Sequence, residues 1–391
     1  MIYPLAKNCL SIEDIDALKR FIGRGQFTMG IYVKKFEDEF DKAAYNVMTN
    51  SGSSANLLLI ASFISTGKLQ AGDKVIVPAV SWSTTYFPLV QYGLIPVFVD
   101  IDHNFQIDVC ELVDAYFQHE AKAIFLVNLL GLMPTDFISS VRKSIANYNF
   151  RNVKKAPYIF LDNCEGYGSN LEYNLCDGVT HSFFFSHQLN TMEGGMLSLN
   201  GFRKTEFDHA KSLRAHGWVR EQDDNSSLYQ PSGNTFQDSF TFATVGYCLR
   251  PLEISGYLGK IELEKWPRTK KIRDTNHKHF CETFKNKSYL LFSVLPFSEN
   301  TSCFAFPLVL KKSHDRNRVV QELAKEGIDS RPIIGGNFLN QPVMRKFKHI
   351  SNANGYEVAE TIDKKGFLIG NYGEDLKEKI NMVHDIIEKT L

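Results

Sequence analysis

Residues 74–127 read KVIVPAVSWSTTYFPLVQYGLIPVFVDIDHNFQIDVCELVDAYFQHEAKAIFLV. Within this stretch the short β-rich runs Lys74 to Val77, Pro96 to Val99 and Ala123 to Val127 are interrupted by a segment of helical period, Asp108 to Tyr116. The run Tyr158 to Leu161 on one side and the helical segment Ser54 to Ile64 on the other extend the alternation. Strand and helix in turn predict an α/β fold with a largely parallel sheet.

Toward the N-terminal side, Ser11 and Asp14 have the spacing of a capping box, and Ile12, Ile15, Leu18 and Ile22 recur at helical spacing, so a helix is expected there. Toward the C-terminal side, the pattern changes after His181-Ser-Phe-Phe-Phe-Ser-His187 and Gly195-Met-Leu-Ser-Leu-Asn200 to longer polar helices with a late strand at Phe304 to Leu310. At 391 residues the chain exceeds one small core. We expect a large domain over residues 1–250 and a smaller C-terminal domain over residues 251–391, with the polar stretch Glu221 to Gly233 as a loop.

Lys+Arg and Asp+Glu each number 44, so no global field draws nucleic acid to the chain. No run of about 18 apolar residues suits a membrane span and no leader pattern opens the sequence, so a cytoplasmic protein is expected. The seven cysteines (9, 110, 164, 176, 248, 281 and 303) are scattered without a C-x-x-C, which speaks against a disulfide framework, zinc or an iron–sulfur cluster.

Three places carry polar groups suited to chemistry, each with an ordinary structural reading beside it. Asn50-Ser-Gly-Ser-Ser-Ala-Asn56 precedes an apolar helix and gathers hydroxyls and N–H groups where phosphate binds, or is a serine N-cap after a glycine turn. Asp162 follows the apolar Tyr158-Ile-Phe-Leu161, at the carboxyl edge of a buried strand where α/β proteins site ligands, or caps the next helix. His187 ends an aromatic run and is either functional or a packed core histidine. With His181 it lies at even spacing on one expected strand face, but a third metal ligand is missing, so no metal is assigned.

Taken together, the chain resembles, over nearly its whole length, the sugar aminotransferases among the fold type I, aspartate-aminotransferase-like pyridoxal phosphate enzymes. The resemblance rests on Gly52-Ser53-Ser54-Ala55, VSWSTTY, DNCE, RAHGW, SRPI and above all SFFFSHQLNTMEGG, which fits S-x-x-x-x-K-x-x-x-x-x-E-G-G with His187 at the lysine position. It implies a large domain with a mixed, mostly parallel sheet, a small C-terminal α+β domain and a homodimer. It also implies that Gly52, Ser53 and Ser182 meet the cofactor phosphate, Trp82 stacks on its ring, Asp162 pairs with the pyridine nitrogen and Glu165 lies near the phenolic oxygen. Arg331 would take a glutamate carboxylate, with Ser186, His216 and Arg220 as further contacts to L-glutamate or sugar.

An imidazole has no primary amine with which to bond the cofactor covalently. The resemblance is therefore to family members that lack the lysine. These use pyridoxal 5'-phosphate and pyridoxamine 5'-phosphate with glutamate to remove the C3 hydroxyl of a GDP-linked 4-keto-6-deoxy sugar, in dideoxysugar (colitose-like) biosynthesis. With an ordinary pKa near 6.5, His187 would serve as the proton-transferring catalytic residue at neutral pH. Three other readings stay open. A nucleotide-sugar 4-aminotransferase would need lysine at 187; a CDP-linked 3-dehydratase would need an iron–sulfur cluster; a cofactor-binding pseudoenzyme would lack turnover. Cys248 stands where the family carries an asparagine that reaches the neighbouring subunit's cofactor phosphate, and a thiol is a poorer donor for that contact. Departures at Gln188, in LLGLMPTD and at Gly166 and Tyr167 leave the sugar and nucleotide open.

Overall fold

The computed structural model describes residues 2–7, 10–148, 156–352 and 354–391; Cys9 lies outside them. Among the described residues a seven-stranded sheet is built from β1 (Ala44–Thr49), β2 (Lys74–Pro78), β3 (Ile95–Val99), β4 (Ala123–Val127), β5 (Tyr158–Asp162), β6 (Gly178–Ser182) and β7 (Gly195–Asn200), in the order β1-β7-β6-β5-β4-β2-β3. β3, β2, β4, β5 and β6 run parallel, while β7 is antiparallel to both β6 and β1. The sheet is thus mixed and mostly parallel.

The parallel strands β2, β4 and β5 have apolar centres because helices cover both faces: Val75, Ile76, Val77, Ile124, Phe125, Leu126, Ile159, Phe160 and Leu161 are all fully buried. The helix Gly52–Ser65 is packed almost all round, with Ala55, Leu58, Leu59, Ile60, Ala61 and Phe63 in the core. Each such aliphatic or aromatic side chain contributes roughly 1.5–3 kcal/mol by leaving water. Ser51 caps it, its hydroxyl accepting from Ser54 N–H at 3.1 Å. The capping box at Ser11 and Asp14 forms and opens the helix Ile12–Ile22.

A second, two-stranded antiparallel sheet, β8 (Ala305–Val309) and β9 (Gly366–Gly370), forms the small C-terminal lobe with the helices Ser313–Lys325 and Lys377–Thr390. The 32-residue helix Glu253–Phe284 begins just after the expected boundary and serves both lobes. Near its start Gly256 and Gly259 admit Val33 and Phe36 of the helix Ile31–Phe40, and near its end Phe280 stacks on Phe306 with centroids 4.5 Å apart. Residues ahead of the first helix also cross to this lobe: Tyr3 N–H donates to Gly327 O at 3.1 Å and its hydroxyl donates to Gly370 O at 2.5 Å.

One expectation is corrected. His181 and His187 do not share a strand face, because β6 stops at Ser182. Phe183 N–H still bonds Gly194 O, but His187 N–H then folds back onto Phe184 O at 2.9 Å, so the aromatic run makes a turn. His181 stays on β6, buried and edge-on to Phe40, and burial alone lowers its pKa to about 3.

Candidate active site

The carboxyl ends of β4, β5 and β6 and the N-terminus of the helix Gly52–Ser65 enclose a cavity of about 320 Å³. Gly52, Ser53, Trp82, Asp162, Glu165, Ser182, Ser186, His187 and Arg331, drawn from residues far apart in the chain, all line it. His216 and Arg220 do not. They sit on an aromatic surface patch, where the His216 ring lies 4.8 Å from Trp218 and the Arg220 guanidinium covers Trp218 at 4.0 Å and Phe240 at 4.5 Å. Cys248 is exposed, with Arg250 Nη2 at 3.7 Å from its sulfur. A larger cavity of about 440 Å³, lined by Lys68, Tyr116 and Tyr158, gathers none of the predicted residues.

One end of the main cavity suits a phosphate. The N–H groups of Gly52 and Ser53 stand in the first helical turn, where no intrahelical acceptor exists and the helix dipole favours an anion. Position 52 must be glycine, since a Cβ there would lie 2.6 Å from Ser182 Cβ and 3.0 Å from Cys164 Sγ. The Ser53 hydroxyl donates to Thr84 Oγ1 at 2.9 Å, while Trp82, 57% exposed, stands at the rim, where an indole can cover a planar ring.

At the floor, Asp162 is 5% exposed. Asn56 Nδ2 and Thr85 Oγ1 each donate to its Oδ2 at 2.8 Å, and Cys164 N–H donates to Oδ1 at 3.1 Å. Thr180 orients Asn56 in turn by donating to its Oδ1 at 2.6 Å. A buried carboxylate so held can meet a ligand cation, such as a protonated pyridine nitrogen. Asn56 and Thr85 were not assigned roles from sequence; a buried asparagine inside an otherwise apolar helix was the available signal.

The other end is aromatic and deep. The His187 ring stacks on Phe304 with centroids 5.1 Å apart at 28°, and the Arg331 guanidinium lies 5.7 Å from the same Phe304 ring. Phe304 comes from the C-terminal lobe, and nothing in its local sequence marks it. Arg331 Nη2 approaches Glu165 Oε1 at 4.0 Å, and Leu130 N–H donates to Glu165 Oε2 at 3.0 Å. Glu165 and His187 keep some surface toward the cavity yet sit deep in the molecule. Burial raises the Glu165 carboxyl to about 7 against the pull of Arg331 and the Leu130 N–H. Burial, then Arg331 and Arg273, lowers His187 to about 3 against a contact with the Cys164 backbone. The sequence left the pKa of His187 open; so lowered, the ring is neutral at pH 7.

These groups fit pyridoxal phosphate: an anion cradle that a side chain at 52 would fill, a rim indole, a floor carboxylate and an imidazole without an amine. Among the described residues no three His, Cys, Asp or Glu side chains gather as a metal site, and no helix is long and apolar enough to cross a membrane.

Comparison with known proteins places this geometry. A model of the DegT/DnrJ/EryC1/StrS aminotransferase family matches residues 8–388. GDP-4-keto-6-deoxy-D-mannose 3-dehydratase of Yersinia pseudotuberculosis is 40% identical over 403 residues, covering 99% of this chain and 98% of that protein. The solved E. coli GDP-4-keto-6-deoxy-D-mannose-3-dehydratase with bound hydrated PLP superposes with a TM-score of 0.89 at 37% identity, covering 98% of this chain and 99% of the other. A structure of GDP-4-keto-6-deoxymannose-3-dehydratase with a trapped PLP-glutamate geminal diamine is similar to the same degree, with a TM-score of 0.89, 36% identity, and coverage of 98% and 100%.

Proposed function

The chain belongs to the DegT/DnrJ/EryC1/StrS aminotransferase family, and on that premise we propose that it is a 3-dehydratase of a GDP-linked 4-keto-6-deoxy sugar. It depends on pyridoxal and pyridoxamine phosphate and takes L-glutamate as amino donor. The observation that carries this reading is His187, an imidazole deep in the cavity that Asp162, Glu165 and Arg331 also line, at the position that matches the family's lysine. The bound cofactor supplies an electron sink that eases loss of a carbon-bound proton and expulsion of a neighbouring hydroxyl.

The chain's own groups divide the work. The Gly52 and Ser53 N–H groups with Ser182 would hold the phosphate, Trp82 would cover the ring, and Asp162 would hold the pyridine N–H. Glu165, its carboxyl raised to about 7, would lie near the phenolic oxygen, and Arg331 would grip a glutamate carboxylate. His187 accepts the carbon-bound proton and passes it to the departing C3 oxygen. Ser186, which lines the same cavity, would bond substrate. Overall the α-carbon of glutamate is oxidised and C3 of the sugar reduced, so glutamate and the sugar yield 2-oxoglutarate, ammonia and the 3-deoxy sugar.

The reading includes a cytoplasmic homodimer. The exposed Phe236, Phe240, Phe242 and Val245, in the segment near His216 and Arg220, support a second copy seated there, bringing those two residues to the partner's cavity. The test is incubation with pyridoxal phosphate, glutamate and GDP-4-keto-6-deoxymannose, followed by mass analysis of the sugar nucleotide and an ammonia assay. Loss of one oxygen with ammonia release is expected. Replacement of the ketone by an amine would make the protein an aminotransferase and sink the proposal.

A further inference from the structure

His187 also lines a second, much smaller compartment of about 20 Å³, shared with Gln188, Asn190, Glu262, Arg273 and Tyr372. That volume accommodates one water molecule and little else. Among the buried polar atoms of its lining side chains, His187 Nδ1 and Gln188 Oε1 have no protein partner.

Gln188 is only 3% exposed. Its amide nitrogen is committed, donating to Glu165 O and to Ser302 O, the latter at 3.0 Å. Two carbonyl acceptors at that nitrogen fix which end of the amide is oxygen. The junction is tight as well: at Gly131, whose φ is +68°, a Cβ would lie 2.1 Å from Ser302 O and 2.7 Å from Glu165 O. An amide oxygen left unpaired in such a place costs about 1–3 kcal/mol.

We propose that this compartment is a water site in which one buried water joins His187 Nδ1 to Gln188 Oε1, making Gln188 a positioning residue for the His187 ring. The inference rests on the reading of His187 as the proton-transferring group. Water donates one hydrogen to Gln188 Oε1 and, being donor and acceptor, meets Nδ1 in either ring tautomer. When His187 gains a proton, Nδ1–H donates to the water oxygen, so the ring keeps one orientation in both protonation states. Lys7, Glu262 and Arg273 are the charged groups around the compartment.

A crystal structure at water-revealing resolution should show density within hydrogen-bond reach of both atoms. A dry compartment, or a direct contact between the two side chains, overturns the proposal. Gln188→Met keeps length but removes the acceptor; it should lose the density, move the ¹⁵N resonance of His187 Nδ1, and slow glutamate-driven conversion of the cofactor roughly tenfold at unchanged KM for glutamate. An unmoved resonance in folded Gln188→Met overturns the proposal, and if that variant does not fold, the density in the unaltered protein decides. Should His187→Asn leave cofactor conversion intact, the assignment of His187 fails, while the density still judges the water site.

Discussion

The two ends of the cavity are built on opposite terms. Around Asp162 every contact is closed within the protein: three donors reach the carboxylate, and Asn56 that supplies one of them is itself oriented by Thr180. Around His187 the protein leaves things open, with Nδ1 and Gln188 Oε1 unpartnered, a carboxyl raised to about 7 and an imidazole lowered to about 3. A closed network pre-orients a group that must hold still, whereas open, perturbed groups suit protons that must move. The contrast separates an end for holding from an end for reacting.

The sharpest way to break that contrast is at its reactive end. His187→Asn should slow the glutamate-driven conversion of cofactor, followed by absorbance in single turnover, by roughly 10²–10⁴-fold while cofactor affinity stays nearly constant. An affinity loss that matched the rate loss would make His187 part of the holding end. Asp162→Ala should do the converse. Removing one partner of a buried charged contact costs about 2 kcal/mol or more, roughly thirtyfold in cofactor affinity, measured by equilibrium titration. Unchanged affinity would mean that the floor network serves only the fold.

The smallest effect tests the electrostatics without cofactor. Glu165 rises from 4.5 to about 7 on folding, so the folded protein binds more protons than the unfolded chain in that window and loses stability as pH rises through it. His187 falls from 6.5 to about 3, so its contribution has the other slope, with stability lost as pH drops below 6.5. Glu165→Gln removes the first slope and keeps the second. Denaturant unfolding of the cofactor-free variant should show a relative gain that grows from pH 4.5 to 7, on the order of 1 kcal/mol. A constant offset across that range would refute the raised carboxyl.

How much of this was legible in the sequence depends on the distance over which each contact acts. The parallel strands were readable because burial on both faces writes itself into short apolar runs, and β4 begins and ends where its run does. The candidate residues from Gly52 to Ser182 were readable as motifs at strand and helix ends. The turn at Phe183–His187 was not, since an aromatic run looks the same whether it pairs as a strand or folds back. Nor was the role of Phe304 or Gln188: both act through contacts with segments distant in sequence, and an orphaned amide oxygen leaves no local pattern. The lowered pKa of His187 belongs to the same class, because desolvation is a property of everything packed around a residue.

Tyr3 sets an order in time. Its hydroxyl is bound by the Gly370 carbonyl, a separation of 367 positions. During synthesis the strands of the large sheet have all emerged once Asn200 has, and they can pair while Tyr3 still waits for its partner. That bond cannot form until Gly370 has been made, so one long-range contact marks a late step in the assembly of the two lobes.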